Sequence, residues 1–170
     1  LIGENLEIIQ LPFNSGLSRG LNKALERVET PFVVRMDDDQ LLTPFTKIHE
    51  QLHFLQKHTE VDLVGILLYP LPRCRSLQKA AEEYYKQPMN YAPKKLIIPH
   101  LTEIDDTHIV VGKSSNTFVA RTDKLKEIGY DDNIRMIDHN EFFYRAAGNI
   151  VSVLDKSAYV LHYRNRFDMH

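Results

Sequence analysis

A chain of 170 residues with 43% hydrophobic side chains can bury the core of one domain and is too short for two full ones. Lys and Arg number 21 against 23 Asp and Glu, a formal net charge of -2, which excludes a basic footprint for nucleic acid or an anionic membrane surface. The only cysteine, Cys74, excludes an internal disulfide and a thiolate zinc cluster. The most apolar window, Leu63 to Leu71, is too short to span a bilayer, so the chain as given is expected to be soluble.

Leu6 to Leu11 reads as a strand, and "PFNSG" after it as a loop. Leu17, Leu21, Ala24, Leu25 and Val28 recur at helical spacing and predict a helix over Ser18 to Val28. Phe32 to Met36 is the next strand, and the alternation of strand, helix and strand predicts a parallel sheet carrying helices. Ligands gather at the carboxyl ends of strands in such sheets. Thr43 and Pro44 read as N-cap and first residue of a helix reaching about Thr59, with Ile48, Leu52 and Leu55 inward. Leu63 to Tyr69 is a buried strand. Between Pro70 and Asp106 prolines recur and the pattern weakens, with "CRSLQKAAEEYYKQ" as a helix and "KKLIIPH" as a strand of an elaborated connection. Ser115 to Ala120 follows as a strand, Thr122 to Ile128 as a helix stopped by Gly129, and His139 to Ala147 as a helix stopped by Gly148. Ile150 to Leu154 and Ala158 to Leu161 close the chain as strands.

The chemistry concentrates in "PFVVRMDDDQLLTP", where an apolar strand ends in three aspartates. Side chains alternate across a strand, so Asp37 and Asp39 share one side and Asp38 takes the other. Two converging carboxylates repel unless a cation or a ring of donors compensates. Mg²⁺ or Mn²⁺ suits oxygen donors of this kind and can neutralise charge building on a diphosphate leaving group. The competing reading is an acidic turn in which Asp39 caps the following helix, but a cap needs one carboxylate rather than three. "MDDDQLLT" is superficially similar to the haloacid-dehalogenase phosphatase signature and fails at Gln40 and Leu41, where that signature has Gly and Thr. "HEQLH" places His49 and His53 on one helical face with Glu50 between them, the H-E-x-x-H pattern of zinc peptidases, without a recognisable third ligand.

"NSGLSRGLNKALERVETPFVVRMDDDQLLTP" resembles the middle of a GT-A glycosyltransferase of the family 2 type, and "NTFVARTDKLKEIGYDDNIRMIDHNEFFYRAAG" with "YVLHY" resembles its β-1,4-N-acetylgalactosaminyltransferase (GM2 synthase-like) branch. The likeness covers nearly the whole chain outside Pro70 to Asp106. It implies a single GT-A catalytic domain over 1–170, an α/β Rossmann-like mixed sheet with helices on both faces. It also implies transfer of a sugar from a nucleotide diphosphate, a UDP-sugar above all, to an acceptor hydroxyl, by inversion and with Mn²⁺ or Mg²⁺. Asp39, Asp37 and His162 match the metal-binding positions. Asp37, Asp38, Arg19, Asn22 and Asn116 fall where the family contacts the nucleotide-sugar. Glu141, Asp138 and His139 lie in the region that supplies the general base.

The bland account of "DHNEFF" is a capped amphipathic helix, with Asp138 as cap and Glu141 as its capping-box partner. Leu21 stands where many family members carry an Arg. The resemblance also implies that the base-binding start of the domain lies outside the chain. The expectation is then an uncovered sheet edge, self-association, and low activity from these residues alone, or a non-catalytic binding module.

Overall fold

The computed structural model describes residues 6–71, 79, 82, 96–135 and 138–163. Among the described residues the elements run, in chain order, α1 (Leu17–Glu26), β1 (Phe32–Arg35), β2 (Gln40–Leu41), α2 (Ile48–Lys57), β3 (Leu63–Leu71), β4 (His108–Val110), β5 (Phe118–Arg121), α3 (Thr122–Ile128), α4 (Asp138–Ala146) and β6 (Ser152–Tyr163). The sheet runs β1-β5-β3-β6-β2, with β4 also paired to β6. Among the described residues only β3 and β6 form a parallel ladder, and the other ladders are antiparallel. β1 and β3 point the same way, but β5 returns between them, and the first strand of the expected strand, helix, strand unit, Leu6 to Leu11, does not form. The wholly parallel sheet read from the alternation therefore gives way to a mixed one.

Alternation along the central strands sends side chains to two cores. Val64, Ile66 and Val119 pack with Phe54 and Leu55 of α2. Leu63, Phe118 and Ala120 pack with Leu25 of α1, Leu125 of α3, and Phe142 and Phe143 of α4. Helices thus cover both faces, as the resemblance implied.

Several expected elements change. Leu6 to Leu11 forms no strand: it has no ladder partner among the described residues, and Ile8 is 81% exposed. The helix expected from Pro44 is broken. Thr43 caps a short 3-10 turn over Pro44–Thr46, Lys47 then takes a left-handed φ of 54°, and α2 starts afresh at Ile48. The cause is tertiary, since Thr46 Oγ1 donates to the carbonyl of Tyr159 (3.1 Å) and Lys47 Nζ to Ser157 Oγ (2.9 Å), pinning that turn to β6. β5 starts at Phe118 rather than Ser115, whose hydroxyl donates toward the carbonyl of Ile66 (2.5 Å) with that of Thr117 also within reach (2.8 Å). The two closing strands are one, β6, with residues 156–158 looped out where Asp155 pairs with Ile66 and Tyr159 with Leu67.

The described part of "KKLIIPH" makes bends and a turn instead of a strand, while Lys79 and Glu82 are helical and the rest of "CRSLQKAAEEYYKQ" lies outside the described residues. α3 ends at Gly129 as expected, with φ 59° there. Among the described residues no helix is long and apolar enough to cross a membrane.

Candidate functional site

Arg35 ends β1 and is 7% exposed, so its charge must be met locally. It donates to Asp37 Oδ1 (2.9 Å) and to the Asn116 carbonyl (2.7 Å). Gln40, also buried, accepts from the Asp37 N–H (3.1 Å) through Oε1 and donates to Asp37 Oδ2 (3.3 Å) through Nε2. Thr117 Oγ1 donates to the same Gln40 oxygen, and Asn116 Nδ2 approaches Asp37 Oδ2 at 3.5 Å. Asp37 is therefore caged by the protein's own donors.

Asp39 is placed differently. Gln40 faces His162 in the β2–β6 ladder, and the Tyr163 N–H donates to the Asp39 carbonyl (2.9 Å). That pairing carries His162 across 123 positions of sequence to set its Nε2 2.9 Å from Asp39 Oδ2. The Asp39 carboxylate remains 45% exposed, and Asp38 is exposed. Asp39 does not cap the following turn, a task that Thr43 performs.

Of the three aspartates, Asp37 thus has the Arg35 guanidinium as its counter-charge, Asp39 has a hydrogen-bond partner in the His162 ring, and Asp38 faces solvent. A carboxylate and an imidazole at this separation also suit one small octahedral cation, whose neighbouring ligands at about 2.1 Å from it lie about 3 Å apart. Among the described residues no three His, Cys, Asp or Glu side chains form a group that could hold a metal. Any such ion would therefore draw most of its ligands from water and a bound diphosphate. His49 and His53 are exposed on α2 and gain no third ligand there.

The loop before β5 joins this cluster to α4. Lys113 Nζ donates to Asn140 Oδ1 (2.5 Å), and three residues later Asn116 meets Asp37. Burial lowers the Lys113 pKa below the ordinary lysine value. His139 is half-buried in the first turn of α4, beside Asp138.

Two expected site residues are engaged elsewhere. Arg145 takes both oxygens of Glu141, one at 2.9 Å, and donates to the carbonyls of Ile128 (2.5 Å) and Gly129 (2.9 Å) at the end of α3. The Glu141 bond, ahead of an opposing burial effect, raises the Arg145 pKa. Asn22 accepts from the Tyr130 N–H (2.8 Å) and donates to the Tyr130 carbonyl and Asp132 Oδ1, both at 2.7 Å. Glu141 thus joins α4 to α3, and Asn22 joins α1 to the loop after α3. Arg19 is exposed on α1.

Sequence reasoning passed over Arg35, Gln40, Thr117 and Lys113. Arg35 carried a readable signal, since it lies two positions before Asp37 and so on its side of the strand.

Comparison with known proteins adds a family. The model described as Glycosyl transferase family 2 matches residues 2–108. The chain is 29% identical over 148 residues to Beta-1,4 N-acetylgalactosaminyltransferase 1 of Mus musculus, covering 81% of this chain and 26% of that protein. It is 28% identical over 151 residues to Beta-1,4 N-acetylgalactosaminyltransferase 2 of Mus musculus, covering 86% and 28%. The chain therefore spans about a quarter of the length of these curated relatives. The solved structure of S. aureus TarS in complex with UDP superposes with a TM-score of 0.59 at 18% identity, over 89% of this chain and 41% of that one.

Proposed function

The chain belongs to glycosyl transferase family 2 and has the GT-A fold, and from that premise we propose that it transfers a sugar from a UDP-sugar to an acceptor hydroxyl, by inversion and with a divalent cation. The observation that carries the reading is the pairing of Asp39 with His162 at 2.9 Å, beside a caged Asp37. Asp39 and His162 would hold Mn²⁺ or Mg²⁺, which when bound offsets negative charge on the departing diphosphate. Arg35, Gln40 and Asn116 hold the Asp37 carboxylate in place, so that it can accept a hydrogen bond from a ribose hydroxyl. Asp38 and Arg19, both exposed, are further donor contacts. N-acetylgalactosamine is favoured as the sugar by the relatives alone.

In an inverting transfer the acceptor oxygen bonds to the anomeric carbon as the bond from that carbon to the diphosphate oxygen breaks. The acceptor's proton must go to a base within hydrogen-bond reach. Because Arg145 occupies Glu141, we assign the base to the first turn of α4, to His139 with Asp138 beside it. A neutral imidazole is suited to accept a proton near neutral pH. Glu141 is then a positioning residue that orients α4. Lys113, tied to Asn140 and three residues before Asn116, is a candidate cation for the charge that develops on the leaving group.

The test is turnover of UDP-N-acetylgalactosamine with Mn²⁺ against a panel of glycan acceptors. His139→Ala should lose about 10²- to 10⁴-fold in transfer while retaining UDP binding. Equal rates would move the base elsewhere. Absence of turnover by every form, with UDP still bound, would favour the binding-module reading.

A further inference from the structure

Helix α2 buries one face and carries an unused pair of imidazoles on the other. Gln51, Phe54 and Leu55 are its buried residues. The Gln51 amide donates to Asp155 Oδ2 (2.6 Å) and the Phe54 ring stacks on His108 with centroids 3.6 Å apart, which fixes the helix about its own axis. At about 100° per residue, His49 and His53 then lie opposite that face, and both are exposed. Among the described residues neither ring takes part in a hydrogen bond, an ion pair or a ring contact, whereas His58, His108, His139 and His162 are each engaged.

The spacing of four sets the pair one turn apart, with Cβ atoms about 6 Å from each other. From there two imidazoles can turn toward one point and bring a nitrogen each to about 2 Å from a shared ion. Glu50, one residue after His49 and three before His53, adds negative charge beside them, and Lys57, one turn beyond His53, adds an opposing positive one.

We propose that His49 and His53 chelate a borderline divalent ion, Zn²⁺ above all, at a site separate from Asp39 and His162. Two imidazole nitrogens select Zn²⁺, Cu²⁺ or Ni²⁺ over Mn²⁺ and Mg²⁺, the reverse of the preference of carboxylate oxygens. The pair gains no third protein ligand among the described residues, so water completes the shell and the site is a clamp rather than a peptidase centre. It has something to clamp. α2 opens at Lys47 without a side-chain cap bond, which leaves its first turn the most prone to fray, and an ion bridging His49 and His53 ties that turn to the next. The inference stands apart from the transferase reading.

Zinc chloride titrated into five forms of the chain tests it: wild type, His49→Gln, His53→Gln, His53→Gln combined with Glu50→His, and Asp39→Asn. The fourth keeps two histidines but makes them sequence neighbours, which do not face each other on a helix. The substituted side chains are all exposed, so without metal the five should melt alike. With excess Zn²⁺, wild type and Asp39→Asn should melt about 2 to 4 °C higher, and the ring C–H NMR signals of His49 and His53 should move together. His49→Gln, His53→Gln and the respaced pair should show no such rise and should bind Zn²⁺ at least about tenfold more weakly. Mn²⁺ should leave both rings of Asp39→Asn unmoved.

An equal rise in either single variant or in the respaced pair would overturn the chelate, because the ion would then be held by single rings or elsewhere. A rise lost in Asp39→Asn would overturn it too, by placing the ion at the donor site. So would a wild type whose melting temperature ignores Zn²⁺.

Discussion

Glu141 separates a residue's type from its task. Carboxylate, helix start and family position all favoured a base, while the Glu-to-Arg spacing of four to Arg145 already offered an intrahelical pair. The pair matters beyond its own helix because Arg145 also binds the terminal carbonyls of α3. Arg145→Ala should therefore lower stability by about 1 to 3 kcal/mol, measured by denaturant unfolding, because it removes a charged donor from partly buried acceptors. Glu141→Gln should cost less and leave UDP affinity unchanged. Unaltered stability in Arg145→Ala would show that the α3 to α4 fastening is not needed. Asn22 follows the same logic: a conspicuous polar residue whose partners, Tyr130 and Asp132, lie more than a hundred positions away and cannot be named from local sequence.

Elements were legible where local chemistry decides them. α1, α3 and α4 follow their apolar spacing, and α3 and α4 end within two residues of Gly129 and Gly148. Elements set by long-range partners were not. β4 is three residues long and depends on β6, and the turn before α2 is bent by bonds to β6 that the Thr43-Pro44 signal cannot reveal.

The approach to β4 also makes a pH prediction. Burial tends to raise the Asp105 pKa, but bonds from the Thr107 N–H, the His108 ring and the His108 N–H outweigh it and hold the carboxyl well below the usual range. A depressed folded pKa gives stability that is complete above the unfolded carboxylate range and is lost as pH falls through it toward the folded value. Asp105→Asn should accordingly melt below wild type at neutral pH, and the two curves should converge in acid. A constant gap across that range would contradict the assignment.

At the scale of the molecule, β1 terminates the sheet with one ladder, to β5, and presents its other edge unpaired among the described residues. Val34, midway along it, is exposed. An open apolar edge invites pairing with another strand, so the chain should associate with rising concentration, and Val34→Lys should suppress this in sedimentation measurements. A monomer at all concentrations would remove the prediction.

The same sheet organises the site: β1 delivers Arg35 and the aspartates, β5 follows the loop of Lys113 and Asn116, and β6 returns His162. The three aspartates and a late histidine were visible in sequence, but their meeting is a property of β2 pairing with β6 and appears only in three dimensions.

That meeting is tested most directly by titrating UDP into wild type and Asp39→Asn, each with and without Mn²⁺. Asn keeps the size of the side chain and removes its charge, and Asp39 is exposed enough that folding should be unaffected. The account predicts that Mn²⁺ strengthens UDP binding by wild type and does nothing for Asp39→Asn, at equal melting temperatures. Equal Mn²⁺-dependent affinity in the two proteins would contradict it.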